Sequence, residues 1–132
     1  MNQRKTTVVV VDDDESFARA LARLFRASGF DVQTYPSAEI FLASTPLPQP
    51  DCFVLDIQLG GMSGLELQRH LRKLGARAPI IFVTAHDGPA FRDQAQKAGC
   101  SAYFSKPVQG EALLDAIRKA ADPSGNHNPA AN

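Results

Sequence analysis

The sequence predicts an α/β fold, a doubly wound sheet of five parallel strands with helices on both faces. Five short strand-like runs occur along the chain, of which the first and third are almost uniformly apolar, and segments with apolar residues at helical spacing lie between them. Uniform apolar runs are typical of strands that are covered on both faces. Regular alternation with helices places such strands side by side in one parallel sheet. The length of 132 residues suits a single core of this kind.

The first predicted strand, residues 6–11, is β-branched and almost entirely apolar. A helix is predicted over 16–28, where one face carries Phe17, Leu21, Leu24 and Phe25. Gly29 ends this helix because glycine accepts a left-handed backbone at little cost. The second strand follows at 30–35. Ser37 is then the expected N-cap of a short helix that carries Ala38, Phe41 and Leu42.

The middle of the chain begins with a loop over 45–50, which contains three prolines. The third strand is predicted at 52–57, an apolar run broken by Asp56. Ser63 or Gly64 opens the next helix, which Gly75 ends. Leu67, Leu71 and Leu74 are expected on its buried face.

The last two strands are predicted at 79–83 and 101–105. Helices are predicted at 87–98, with a thin apolar face of Phe91, Ala95 and Ala98, and at 109–121, burying Leu113, Ile117 and Ala120. Residues 1–121 thus form one expected domain. The segment 122–132 is rich in Pro, Gly, Asn and Ala, so we expect a flexible tail.

Composition and charge exclude several classes of function. The 14 basic and 14 acidic residues cancel, so no strong global field attracts nucleic acid or an anionic membrane. No apolar run approaches the roughly 18 residues that span a bilayer, and no signal-peptide core follows the charged start. A cytoplasmic protein is expected. Cys52 and Cys100 lack metal-ligand spacing and are expected to be buried free thiols.

Polar side chains follow four of the predicted strands. In a parallel α/β sheet the ligand site lies beyond the carboxyl ends of the strands, so these residues are expected on one rim. They are Asp12, Asp13 and Asp14 after the first strand, Asp56 at the end of the third, Thr84 after the fourth, and Lys106 after the fifth. No glycine-rich phosphate loop follows the first strand, which argues against a dinucleotide or P-loop site.

Each residue also has a simpler interpretation. Asp13 or Asp14 could cap the first helix, and Thr84 is an ordinary strand residue. Asp56 needs compensation by Lys106 or a cation, because an unpaired carboxylate at a buried edge is costly. Gathered carboxylates repel one another, and a divalent cation such as Mg²⁺, which prefers oxygen ligands, relieves that repulsion. Together the residues predict phosphoryl transfer, with Asp56 as nucleophile.

From about Thr6 to Ala121 the chain resembles receiver domains of response regulators from two-component signal transduction. Four motifs carry the resemblance in order: Val-Val-Asp-Asp-Asp-Glu-Ser from Val10, Val-Leu-Asp from Val54 with Met62 and Gly64 beyond, Val-Thr-Ala from Val83, and Phe-Ser-Lys-Pro from Phe104. The resemblance implies a flavodoxin-like sheet with strand order 2-1-3-4-5. It also implies that Lys106-Pro107 is a cis peptide.

The resemblance assigns a role to each matching residue. Asp56 would be the phosphoacceptor, with Thr84 and Lys106 binding the phosphoryl group. Asp13, Asp56 and the backbone carbonyl of Gln58 would coordinate Mg²⁺ (or Mn²⁺) directly, and Asp12 would do so through water. Thr84 and Tyr103 would form the switch. Gly60 stands where the family usually has proline, so the loop is expected to be more mobile. His86 could orient a water or be a solvated loop residue.

The resemblance also implies partners. A sensor histidine kinase or phosphotransfer protein would donate the phosphoryl group, and the face formed by residues 87–121 would contact a downstream protein or output domain. Homodimerisation through that face after phosphorylation is a further implication. The chain would not be an enzyme beyond its own phosphorylation and slow dephosphorylation. Two alternatives stay open: a Mg²⁺-dependent phosphohydrolase, for which Asp12 or Asp14 would supply the acid–base group, and a non-phosphorylatable interaction module.

Overall fold

A computed structural model describes residues 4–86 and 88–122. Except for Asp122, the predicted tail lies outside the described residues. Strands and helices alternate in the order β1 Thr7–Val11, α1 Glu15–Ala27, β2 Asp31–Tyr35, α2 Ala38–Leu42, β3 Cys52–Leu55, α3 Gly64–Lys73, β4 Ile80–Thr84, α4 Pro89–Lys97, β5 Ala102–Ser105 and α5 Gly110–Ala120.

The five strands form one parallel sheet in the order β2-β1-β3-β4-β5. This confirms the predicted fold class and strand order. Val11 pairs with Leu55 in register, so β1 and β3 end side by side. Thr84 pairs with Ser105, so β4 and β5 also end together at the carboxyl rim.

The central sheet separates two halves of the hydrophobic core. Successive strand side chains point to opposite faces, so Val8 and Val10 pack with α1 and α5, whereas Val9 and Val11 pack with α2, α3 and α4. Helices therefore cover both faces, as the uniformly apolar strands predict. This packing fixes the positions of the strand ends, where Asp12, Asp56, Thr84 and Lys106 lie.

Helix ends follow the predicted signals. Gly29, Gly75 and Gly99 follow α1, α3 and α4 with φ of 90°, 87° and 90°, the left-handed conformation that glycine tolerates. Ser63 is the N-cap of α3, in a capping box with Glu66. None of the helices in residues 4–86 and 88–122 combines the length and apolar character needed to cross a membrane.

Several details of the sequence prediction are wrong. β3 ends at Leu55, so Asp56 lies in the following loop, and Thr84 is the last residue of β4. Leu74 is the C-cap of α3 and is 56% exposed, so the apolar spacing extends beyond the part of the helix that the core covers. Ala98 is likewise the exposed C-cap of α4. Cys52 is a buried free thiol as predicted, but Cys100 is only half-buried.

Candidate functional site

The sheet register brings Asp12 and Asp56 together. Each follows directly after one of two paired strands, β1 and β3. The Asp12 N–H donates to the Tyr35 carbonyl at 3.0 Å, and the Asp56 N–H donates to the Val11 carbonyl at 3.0 Å. The two backbones therefore continue the sheet's hydrogen bonding by one residue, which holds both carboxylates at the same point on the rim.

An acidic cluster is formed by Asp12, Asp13 and Asp56. One carboxylate oxygen from each lies within 4.8 Å of the others. Asp12 and Asp56 are 3% and 5% exposed, whereas Asp13 is exposed. Asp14 does not join them: its Oδ1 accepts the Phe17 N–H at 3.1 Å as the N-cap of α1. Of the two interpretations of this acidic run, helix capping applies to Asp14 and membership of the acidic cluster applies to Asp12 and Asp13.

Lys106 faces the acidic cluster from the end of β5. Its backbone N–H donates to the Thr84 carbonyl at 2.8 Å, which extends the β4–β5 ladder. Its Nζ lies 3.0 Å from Asp12 Oδ2 and 3.3 Å from Asp56 Oδ2. Burial alone would lower the pKa of Lys106, but the hydrogen bond to Asp12 and the charges of Asp12 and Asp56 raise it above its ordinary value.

The cluster holds a surplus of negative charge. Burial raises the pKa of Asp12, and the charge of Asp56 adds to that rise; the Asp14 N–H and Lys106 oppose it. Among residues 4–86 and 88–122, one ammonium faces the three carboxylates of this cluster, two of which are buried. Hard oxygen donors at this spacing fit a divalent cation such as Mg²⁺, which would remove the surplus. The cation's charge would also favour the ionised form of Asp12.

The loop after β3 is tied closely to the cluster. The Gln58 N–H donates to Asp56 Oδ1 at 3.1 Å, so both oxygens of Asp56 have partners. Gly64, the first residue of α3, lies against the Asp56 backbone, and a Cβ there would overlap the Asp56 carbonyl oxygen. Farther along the loop, Glu39 of α2 accepts the Met62 N–H at 2.6 Å. The loop is therefore anchored at Gln58, Met62 and Gly64.

Thr84 and Tyr103, on the neighbouring strands β4 and β5, have contacts of their own. Thr84 is fully buried, and its Oγ1 accepts the His86 N–H at 3.1 Å. The half-buried Tyr103 ring has its centroid 6.4 Å from that of Phe82, and the Arg92 guanidinium lies 4.5 Å from the Tyr103 centroid. The predicted Lys106-Pro107 peptide is cis.

An open cavity of about 400 Å³ gives solvent access to the cluster. Its lining comprises Asp13, Asp14, Asp56, Gln58, Leu59, Gly60, Ala85, His86 and Lys106. The exposed His86 and the small Ala85 leave its mouth open. The structure therefore brings Asp56, Lys106 and Asp13 to one accessible cavity, with Asp12 buried behind them.

One contact at the site was missed by the sequence analysis. Phe17 was assigned only to the core face of α1, yet its ring centroid lies 4.2 Å from Lys106 Nζ. Helical periodicity predicts that Phe17 turns inward, but it cannot tell which distant side chain the ring meets. The position of Phe17 one turn after the acidic run was the only available signal.

A sequence profile described as "Response regulator receiver domain" matches residues 8–118. Response regulator protein TodT of Pseudomonas putida is 38% identical over 120 residues, which are 91% of this chain and 53% of TodT. Transcriptional regulatory protein FixJ of Rhizobium meliloti is 35% identical over 116 residues, which are 88% of this chain and 57% of FixJ. The chain thus spans little more than half the length of these relatives.

Solved structures share the fold. A response regulator receiver protein from Burkholderia phymatum superposes with a TM-score of 0.77 at 42% sequence identity. The match covers 89% of this chain and 95% of that chain. Sequence and structure comparisons therefore point to the same family.

Proposed function

The chain belongs to the response regulator receiver domain family, and we propose that it accepts a phosphoryl group onto Asp56 in a Mg²⁺-dependent reaction and thereby switches a partner-binding face. The profile match to 8–118 supports a receiver of a two-component system. We propose residues 1–121 as the receiver domain.

The observation that carries this proposal is the acidic cluster with Lys106 against it. One oxygen from each of two buried carboxylates and one exposed carboxylate lies within 4.8 Å of the other two, a spacing that suits one divalent ion. Lys106 Nζ contacts Asp56 Oδ2 at 3.3 Å, next to the proposed nucleophilic group. A nucleophile, a cation site and a fixed positive charge thus meet at one cavity, which is the set of groups that phosphoryl transfer needs.

In the proposed reaction an Asp56 carboxylate oxygen attacks the phosphorus of a phosphohistidine. The new O–P bond forms as the P–N bond breaks, and the released imidazole takes up a proton. Lys106 pairs with one phosphoryl oxygen and the Thr84 hydroxyl donates to another. The site would hold Mg²⁺, which would supply positive charge to the phosphoryl oxygens. Its proposed direct ligands are Asp13, Asp56 and the Gln58 carbonyl, with Asp12 acting through water.

Thr84 and Tyr103 are the proposed switch. Thr84 Oγ1 now accepts the His86 N–H, so turning its hydroxyl toward a phosphoryl group changes the start of the β4–α4 loop. Helix α4 fully buries only Ala95, and a weakly packed helix is readily shifted. The face formed by residues 87–121 would then contact a partner. Between α4 and α5 it contains a groove of about 780 Å³ that includes Phe104.

The proposed phosphodonor is a sensor histidine kinase or phosphotransfer protein. The proposed target of the 87–121 face is a downstream protein, an output domain or a second phosphorylated copy. TodT and FixJ extend well beyond the matched segment, and FixJ is named a transcriptional regulatory protein. The cancelling charges of this chain favour protein partners over direct nucleic-acid binding.

Family membership favours this function over the alternative phosphohydrolase. The reaction is limited to the chain's own phosphorylation and slow dephosphorylation, so we do not propose an enzyme of external substrates. The acids and Lys106 meet in one cluster, which disfavours a non-phosphorylatable module.

Incubation with Mg²⁺ and acetyl phosphate, followed by intact-protein mass spectrometry, tests the proposal. We expect the mass to rise by one phosphoryl group, and Asp56→Asn to abolish the gain. Asp14→Asn is the matched control, because it makes the same chemical change beside the cluster while keeping a good N-cap, and it should be phosphorylated. No gain in the wild-type chain, or an equal gain in Asp56→Asn, would overturn the proposal.

A further inference from the structure

Lys106 has an aromatic neighbour as well as two acidic ones. The Phe17 ring centroid lies 4.2 Å from Nζ, while Asp12 and Asp56 lie at 3.0 and 3.3 Å. The Lys106 side chain is only 15% exposed. We propose that Phe17 is a positioning residue that holds the Lys106 ammonium in the acidic cluster, an inference that rests on the proposed function of Asp56.

The position of Phe17 is fixed by its own contacts. Asp14 Oδ1 accepts the Phe17 N–H, which anchors the first turn of α1. The half-buried side chain packs against the core between the sheet and helices α1 and α5. Asp12 Oδ1 accepts the Asp14 N–H at 2.9 Å, while its Oδ2 accepts Lys106 Nζ at 3.0 Å. The ring, the acid and the amine are thus linked through one short segment of chain.

The ring acts on the charged end of Lys106. A lysine ammonium ends a flexible four-carbon chain and is strongly hydrated, so water competes with the two carboxylates for it. An aromatic face attracts a cation within about 6 Å, most strongly when water is excluded. When a phosphoryl group forms on Asp56, Lys106 must change partner. Phe17 limits that movement to a short distance, so the ammonium reaches the new oxygens without leaving the site.

The competing explanation is that Phe17 only fills the core. Phe17→Leu distinguishes core filling from positioning of Lys106, because leucine stays apolar but has no ring. Phe17→Tyr keeps the ring. With Mg²⁺ and acetyl phosphate, we expect Phe17→Leu to be phosphorylated about three- to tenfold more slowly than wild type. Phe17→Tyr should react at nearly the wild-type rate. Phe30→Leu is the matched control, since it removes a ring from the same core without a contact to Lys106, and its rate should not change.

A second comparison uses the Lys106→Ala background, in which we expect phosphorylation to be slower than in wild type but still measurable. There Phe17→Leu should have no further effect, because the group that the ring positions is gone.

A separate measurement, by NMR, needs neither metal nor phosphodonor. In the wild-type protein the ring current of Phe17 should move the NMR signals of the Lys106 ε-methylene upfield. Phe17→Leu should return them toward ordinary lysine values, and Phe17→Tyr should not.

The outcomes are distinguishable. The inference is overturned if Phe17→Leu reacts at the wild-type rate, if it slows Lys106→Ala as much as wild type, or if the Lys106 signals do not respond to loss of the ring. A wild-type chain that takes no phosphoryl group marks a failure of the proposed function. A phosphorylated wild type with an unaffected Phe17→Leu marks a failure of the positioning role alone.

Discussion

The ammonium of Lys106 donates to Asp12 at 3.0 Å, so the ends of the first and fifth strands are joined across β3 and β4. This ion pair is buried, but it does not balance the charge of the cluster, because the carboxylates of Asp13 and Asp56 lie beside it. The same charge surplus raises the pKa of Lys106 and adds to the burial that raises the pKa of Asp12. Lys106 therefore neutralises only part of the cluster, and the remaining charge favours a divalent ion.

Because Lys106 competes with a cation for the oxygens of Asp12 and Asp56, Lys106→Ala should bind Mg²⁺ at least as tightly as wild type. Its phosphorylation and the response of the 87–121 face should be impaired. Mg²⁺ titration monitored by NMR checks the first expectation. Lys97→Ala, which removes an exposed ammonium paired with Asp93 on α4, is the control and should bind Mg²⁺ normally. A parallel loss of Mg²⁺ affinity in Lys106→Ala would contradict the assigned role.

The close approach of α3 to Asp56 predicts a severe effect of Gly64→Ala. The added Cβ would overlap the Asp56 carbonyl oxygen, so the loop or the helix must shift. We expect a loss of about 1–3 kcal/mol in the free energy of unfolding, measured by urea denaturation. Gly60→Ala is the matched control in the same loop, where a Cβ would meet no atom of the described residues within 4 Å. Equal effects of the two substitutions would rule out this explanation.

The sequence analysis placed Gly60 in the loop after the third strand and Gly64 at the start of the next helix, but only the structure shows how differently a Cβ would fit at the two positions. Gly60 was singled out because the related family usually has proline there, while Gly64 was a motif residue and helix start. The close backbone approach at Gly64 depends on how α3 packs on the end of β3, which no local pattern encodes. Likewise the residues of the acidic run alone left open whether Asp13 or Asp14 caps α1, and the structure assigns the cap to Asp14.

The fold and the residues on the carboxyl rim could be predicted because they depend on the spacing of apolar residues along the chain and on the order of the strands. Uniform apolar strands and helical spacing gave the fold, and the carboxyl-end rule placed Asp12, Asp56 and Lys106 on one rim. Contacts such as Phe17 with Lys106 join segments that are distant along the chain and could not be found in this way. Leu74 was misplaced because the apolar spacing continues to the exposed C-cap of α3, and spacing alone does not show where the core stops covering a helix.

Thr84 provides a test of switching that is separate from phosphorylation. Thr84→Ser keeps the hydroxyl and should transmit the signal, whereas Thr84→Ala should accept the phosphoryl group but fail to move Tyr103. Both variants remove buried methyl groups from a fully buried site, so the comparison controls for packing loss. NMR signals of the Tyr103 ring with and without beryllofluoride are the measurement. Identical responses of the two variants would contradict a role for the hydroxyl.

Asp51 predicts a pH dependence far from the site. Hydrogen bonds from Arg4 and Thr7 hold the pKa of Asp51 below its ordinary value of 3.8, although burial opposes them. A lowered pKa in the folded state contributes stability above the unfolded pKa and loses it as the pH falls through the folded value. Asp51→Asn should therefore cost about 1–2 kcal/mol at pH 7.

The cost of Asp51→Asn should shrink as the pH falls below about 4, as measured by urea denaturation across pH. Asp31→Asn, at an exposed acid on β2, is the control and should change stability by less than about 0.5 kcal/mol. A difference between wild type and Asp51→Asn that stayed constant down to pH 2 would exclude this linkage.

Asp56 is the proposed carrier of the phosphoryl group, and borohydride reduction followed by peptide mass spectrometry would identify the modified residue. Reduction converts an aspartyl phosphate to homoserine, so the modified position can be read from the fragment masses. After treatment with Mg²⁺ and acetyl phosphate, homoserine should occur at position 56 alone. Homoserine at Asp12 or Asp13 instead, or at no position in a chain that has gained phosphate, would contradict the account.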